Sequence, residues 1–312
     1  PAAVGRSPER LRAGFALPAA RNYPRFHGGG PSECVGVLVT VEFDLTGTEI
    51  KTDPAGLFTR MRAECPVHRT EDPAVHYSIT READVSAALR DAETWSSKFG
   101  PGLAYAAEGS GEVVSSDPPL HTVERLAIAR AFKPSVLEAM EPDIRRLVDR
   151  IVDELAPKHH GDIVDEFAML IPLYVMCWLL GTPEADVMMF RNWVLPVSEA
   201  VALAKGNKAN QHTIDANIAM TAYFDTHIKA RRTALDAGQP VPEDLLTRLL
   251  SVERDGEKLT HDQILGFCRF LLIAGSGTTT LLISNMVNRL LEFPDQMALV
   301  QRDRSLIPNV VE

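Results

Sequence analysis

Two stretches of the sequence place reactive or binding side chains at spacings that suit chemistry. The first is Asp117-Pro118-Pro119-Leu120-His121, followed by Arg125. Asp before proline predicts a helix start, with the carboxylate accepting from the free N–H groups of the first turn and proline losing no bond there. His121 and Arg125 then share a face, four residues apart. Paired cationic donors suit a carboxylate or another anion; a solvated surface face is the simpler alternative. The second stretch is Ala274-Gly275-Ser276-Gly277-Thr278-Thr279-Thr280, inside an otherwise apolar run. Each glycine costs a helix interior about 1 kcal/mol relative to alanine, and threonines cost further. Local rules broken in this way tend to mark function. Glycine admits a close neighbour, and Thr278 can bond back to the Ala274 carbonyl and bend the helix. A packing contact between crossing helices is the competing reading. A phosphate loop fits worse, because the lysine of GxxxxGK[ST] and the third glycine of GxGxxG are absent.

The elements that must position these residues read as mostly helical. Helices are predicted at Asp53–Arg62, Arg81–Leu89, Pro118–Ala131, Ser135–Leu155, Ile163–Leu180, Pro183–Ala204, Asn210–Ala237, Asp244–Glu253 and Thr260–Glu292, the last opened by a Thr260/Gln263 capping box. Breakers such as Gly181-Thr182-Pro183, Gly238-Gln239-Pro240 and Phe293-Pro294 separate them. A hairpin is expected from Pro66–Arg69 and Val75–Ile79, and a binding loop from Gly100–Ser116. Residues 1–38, rich in Ala, Arg, Gly and Pro, are expected to be disordered or spurious, with residues 39–312 forming the domain. The fold class is mainly α with a small β component.

Bulk properties narrow the function. Of 312 residues, 45% are hydrophobic and 24% charged, which is ordinary for a globular protein and argues against general disorder. A net charge of −10 argues against nucleic-acid binding. Cys34, Cys65, Cys177 and Cys268 are scattered, as suits a reducing cytoplasm. Cys65 and His68 have ligand spacing without a second pair to complete a metal site. The longest apolar stretch, Phe167–Leu180, is short and contains Pro172, so no membrane span is expected and the localisation is read as cytoplasmic. The chain begins at Pro1 and ends at Glu312 within helical character, as expected of a fragment.

The string DPPLHTVERLAIARAFKP resembles the D-P-P-x-H-T-x-x-R segment of bacterial cytochromes P450, and FLLIAGSGTTTLLISNMVNRLLEFPDQ resembles their central helix. Similarity extends from about Phe43 to Glu312, in the family's order. It implies a P450-like fold, C-terminally truncated just before the Glu-x-x-Arg helix. His121 and Arg125 would bind haem propionates, with Ala274 and Gly275 beside the cofactor and Thr278 and Thr279 as the catalytic pair, Thr278 helping to deliver protons to iron-bound oxygen. Val123 stands where a further basic residue is usual, and Gly277 where an acid is usual.

The resemblance implies a haem-thiolate monooxygenase that inserts one atom of O₂ into a small organic substrate, with electrons from a ferredoxin-type redox partner. Pocket residues would come from Gly100–Ser116, Trp193–Ala204 and Leu271–Ala274. None of the four cysteines has the axial-ligand context, so no metal ligand is assigned; the axial Cys is expected beyond residue 312 and the chain alone is expected to be inactive. A haem-less homologue acting as another enzyme's binding partner is the alternative. Missing acid at Gly277 favours it, while retained His121, Arg125 and Thr278 oppose it. An unrelated helical ligand-binding protein is the third possibility.

Overall fold

The computed structural model describes Phe43, Leu45, Gly100 and residues 47–70, 76–98, 113–132, 134–202, 211–251, 253–254 and 257–312. The expected extension, residues 1–38, lies outside them, as does most of the Gly100–Ser116 loop. The chain divides into two compact units, one of Pro1–Arg69 with Tyr77–Arg90 and one of Thr70–His76 with Asp91–Glu312.

In the first unit, α1 (Glu49–Thr52) leads into α2 (Pro54–Glu64), then β1 (Val67–Thr70), β2 (His76–Ile79) and α3 (Glu82–Arg90). Helix α2 starts as expected: the Asp53 carboxylate accepts from Gly56 N at 2.9 Å and Pro54 fills the first position. β1 and β2 pair, and Thr80 N donates to the Pro66 carbonyl at 2.9 Å. Leu57, Met61 and Phe43 form the small core, with the His68 ring edge-on to Phe43 at 5.3 Å. The Cys65 thiol donates to the Val67 carbonyl at 3.3 Å.

The second unit is built from helices α4 (Leu120–Ala131), α5 (Pro134–Leu155), α6 (Leu170–Leu180), α7 (Val187–Ala202), α8 (Gln211–Asp236), α9 (Leu245–Ser251), α10 (His261–Glu292), α11 (Pro294–Arg302) and α12 (Ile307–Val311). Helix α10 packs on α6, α7, α8 and α9. Phe267, Cys268, Leu272 and Ile264 are buried there with Leu173, Cys177, Phe190, Met220 and Phe224. Burial of this kind contributes about 1.5–3 kcal/mol for each large apolar side chain. The protein is therefore mainly α with a small β component.

Four local expectations are corrected. The predicted helix Ile163–Leu180 is a π turn, Val164–Ala168, followed by α6; Ala168 N and Met169 N donate five residues back, at 2.8 and 2.9 Å. Pro172 thereby falls in the first turn of α6, where its missing N–H costs no bond. The predicted helix Asp244–Glu253 stops at Ser251, because Glu253–Arg254 pairs antiparallel with Glu257–Lys258 as β3 and β4. Sequence Asp255-Gly256 between them is a hairpin signal that a helical reading passed over. The third correction concerns membrane length: α10 is long and apolar enough to cross a bilayer, although it packs here against four helices. The fourth, at the start of α4, is described with the site.

Helix α6 ends at Gly181, in the left-handed region at φ 66°, with Thr182 N donating to the Cys177 carbonyl at 2.9 Å. A Cβ at Gly181 would overlap the Asp244 carboxylate. That carboxylate, 6% exposed, accepts from Arg231 at 2.7 and 2.8 Å and from Thr247 N at 2.8 Å. Asp244→Ala should destabilise the protein by about 3–5 kcal/mol in urea titration, since Arg231 would stay buried and unpaired. A cost below about 1 kcal/mol, within the range of exposed pairs, would contradict the buried bridge.

Candidate functional site

Helix α4 carries the first sequence motif, but it starts later than predicted. Its first residue is Leu120, and no side chain caps it. The residue preceding a proline is disfavoured in helical conformation, so Pro119 pushes Pro118 out of the helix. The Asp117 carboxylate turns instead to Ser96 Oγ at 2.5 Å and Ser97 N at 2.7 Å, bonds that hold it below the usual carboxylate range. Only its backbone serves the helix, its carbonyl accepting from His121 N at 3.0 Å.

His121 is half-buried and Arg125 exposed. Neither forms an ion pair among the described residues, although His121 lies near enough to the Asp117 carboxylate to help hold it down. Glu124, next to Arg125, is fully buried with both oxygens lacking hydrogen-bond partners.

Helix α10 opens as expected: Thr260 Oγ1 accepts from Gln263 N at 3.2 Å and Gln263 Oε1 accepts from Thr260 N at 2.9 Å. At mid-helix its surroundings differ sharply by face. Ser276 and Thr280 are buried, whereas Thr278 is exposed beside half-buried Ala274, and Leu281 and Leu282 continue the open side at 64% and 45% exposure. The Thr278 hydroxyl donates to the Ala274 carbonyl at 2.7 Å, as its spacing predicts. Its lone pairs remain available on the open face. Thr279 lies about 100° further round and is half-buried, on the side of Gly275.

The two glycines serve different neighbours. A Cβ at Gly275 would stand 2.6 Å from Met176 Sδ on α6. A Cβ at Gly277 would stand 3.3 Å from Ser198 Oγ on α7, a residue 79 positions away that no sequence pattern links to it. Packing of α9 on both α4 and α10 ties the two motif-bearing helices into one unit. The remaining thiols are unsuited to ligation as they stand: burial pushes Cys177 up to about 11 and Cys268 up to about 12. Among the described residues, no cluster of His, Cys, Asp and Glu could hold a metal ion.

Similarity to known proteins follows the same segments. No protein-family profile matches the chain. It is 33% identical over 280 residues to the cytochrome P450 monooxygenase PikC of Streptomyces venezuelae, covering 85% of this chain and 63% of that protein. It is 31% identical to cytochrome P450 130 of Mycobacterium tuberculosis, covering 88% of this chain and 69% of the relative. The chain thus spans about two thirds of the length of these relatives. Among solved structures, cytochrome P450 TbtJ1 superposes with TM-score 0.71 at 34% identity, over 83% of this chain and 65% of that one. Cytochrome P450 CYP109Q5 of Chondromyces apiculatus gives 0.70 at 30%, over 85% and 65%.

Close approach of α6 to α10 at Gly275 generates a stability prediction. Gly275→Ala should cost about 1–3 kcal/mol through overpacking against Met176, despite alanine's better helix propensity. In a Met176→Ala background the same change should cost less or become favourable. Equal effects in both backgrounds, measured by urea titration, would show that the two residues do not meet.

Proposed function

The chain belongs to the bacterial cytochrome P450 family, and on that premise we propose that it forms the greater part of a haem-thiolate monooxygenase. The observation that carries this reading is the open face of α10. A helix largely buried over Ile264–Leu272 exposes Thr278 beside small Ala274, so the face there carries little side-chain bulk and presents a hydroxyl. His121 and Arg125 fit as a second hold, since both are basic side chains on one face of α4 that form no ion pair among the described residues, and propionates would answer them.

When bound, haem supplies the redox chemistry, with a thiolate ligand pushing electron density onto the iron. The chain's own residues bind and orient. His121 and Arg125 hold the propionates; Ala274 and Gly275 keep α10 slim, Gly275 by admitting Met176 on the far side. Thr278, whose hydroxyl donates a hydrogen bond to the Ala274 carbonyl, would pass protons into the site, and Thr279 stands beside it on the next position of the helix. O₂ and a small organic substrate are the reactants, and a ferredoxin-type redox partner the electron source. We place the protein in the cytoplasm. By the same reading residues 1–312 alone are inactive, because no cysteine among them stands in the family's ligand context. We assign residues 39–312 to the P450 domain.

In the haem-bound protein, replacing His121 and Arg125 together by Ala should lower haem content several-fold at equal protein recovery. The reduced carbon monoxide spectrum should weaken in parallel. Unchanged haem content and spectrum would remove these residues from the propionate role. A protein that takes up no haem in either form would instead favour the haem-less binding partner.

A further inference from the structure

Glu124 on α4 is fully buried, and neither of its carboxylate oxygens has a hydrogen-bond partner among the described residues. Buried polar groups are bonded in the large majority of cases, and a carboxylate is among the costliest to leave unanswered. The side chains that share its helix face stand three and four positions away: Leu120, His121, Ala127 and Ile128. Of these only His121 carries a donor. His121 is half-buried, and Ile128, one turn beyond Glu124, packs against the larger core, so this stripe of α4 faces inward.

Neighbouring groups are spent elsewhere. Helix α4 packs on α9 and on the turn Val113–Ser115. On α9, the Thr247 hydroxyl accepts from Arg231, and Arg248 reaches the Glu243 carbonyl at 3.4 Å. Asp117, the other carboxylate close to His121, already accepts from Ser96 Oγ and Ser97 N. We propose that Glu124 is a positioning residue for His121: its carboxylate accepts from one ring nitrogen and so aims the other at a bound carboxylate. That the carboxylate is a haem propionate rests on the monooxygenase reading; the pairing of Glu124 with His121 does not. The bond is not formed in this structure, but Cβ atoms three positions apart on a helix lie about 5–6 Å from one another, within reach of side-chain rotation. With a carboxylate on each side both ring nitrogens carry a proton, and the imidazole is held as a cation between two anions.

Titrating haem into the haem-free protein tests the role. Glu124→Leu should raise the haem dissociation constant several-fold, with resistance to urea equal or higher, because an apolar side chain of similar size replaces a buried carboxylate. Glu124→Gln, which still accepts, should lie between. In a His121→Ala background Glu124→Leu should have no further effect on haem affinity. Unchanged affinity in Glu124→Leu, or an equal loss in both backgrounds, would overturn the role. A crystal structure of the haem-bound protein tests the pairing and should place a Glu124 carboxylate oxygen within about 3.2 Å of a His121 ring nitrogen. Glu124 bonded instead to Ser115, Ser116 or Arg248 would overturn it. A protein that takes up no haem would count against the monooxygenase reading, and the crystal structure of that haem-free protein would still decide the pairing.

Discussion

The larger unit is built around the first half of α10, where Ile264, Phe267, Cys268, Leu271 and Leu272 are buried. Helices α6, α7, α8 and α9 cover most of α10 up to Leu272. They can approach because the middle of α10 gives up side chains, at Gly275 toward Met176 and at Gly277 toward Ser198. The helix-propensity cost of those glycines is therefore offset by contacts on two sides. On the remaining side the same stretch is left open, and there Thr278 sits.

This division of faces reconciles two readings of Ala274–Thr280 that the sequence leaves in competition. A packing contact and an open surface both exist, on different sides of one helix turn. Gly275 belongs first to the packing side, since its missing side chain is what admits Met176. Thr278 and Ala274 belong to the open side. A linear string cannot separate the two, because the 100° step between neighbours matters only once the partner helices are in place.

Legibility followed the range of the physical interaction. Strictly local devices, the Asp53 cap, the Thr260/Gln263 box, the Gly181 stop and the Thr278 back-bond, were all readable from residues within four or five positions. Where a competing partner lay farther off, the reading failed: Asp117 abandoned its cap for Ser96 and Ser97, some twenty residues upstream. The π turn before α6 escaped because apolar periodicity does not distinguish four-residue from five-residue bonding. The partnerless burial of the Ser198 and Glu124 oxygens escaped, although Ser198 falls within the expected pocket stretch Trp193–Ala204. A serine or glutamate is ordinarily a surface residue, and only the packed structure reveals that their oxygens are buried without partners.

Orientation of α10 toward the cofactor is the central claim, and it can be measured without turnover. In haem-bound protein carrying ¹³C-methyl threonine, ferric iron should broaden the Thr278 methyl resonance most, with Thr280, on the buried side, and Thr213, on α8, progressively less affected. Thr280 or Thr213 relaxing faster than Thr278 would mean that α10 presents a different face to the iron, and would contradict the account.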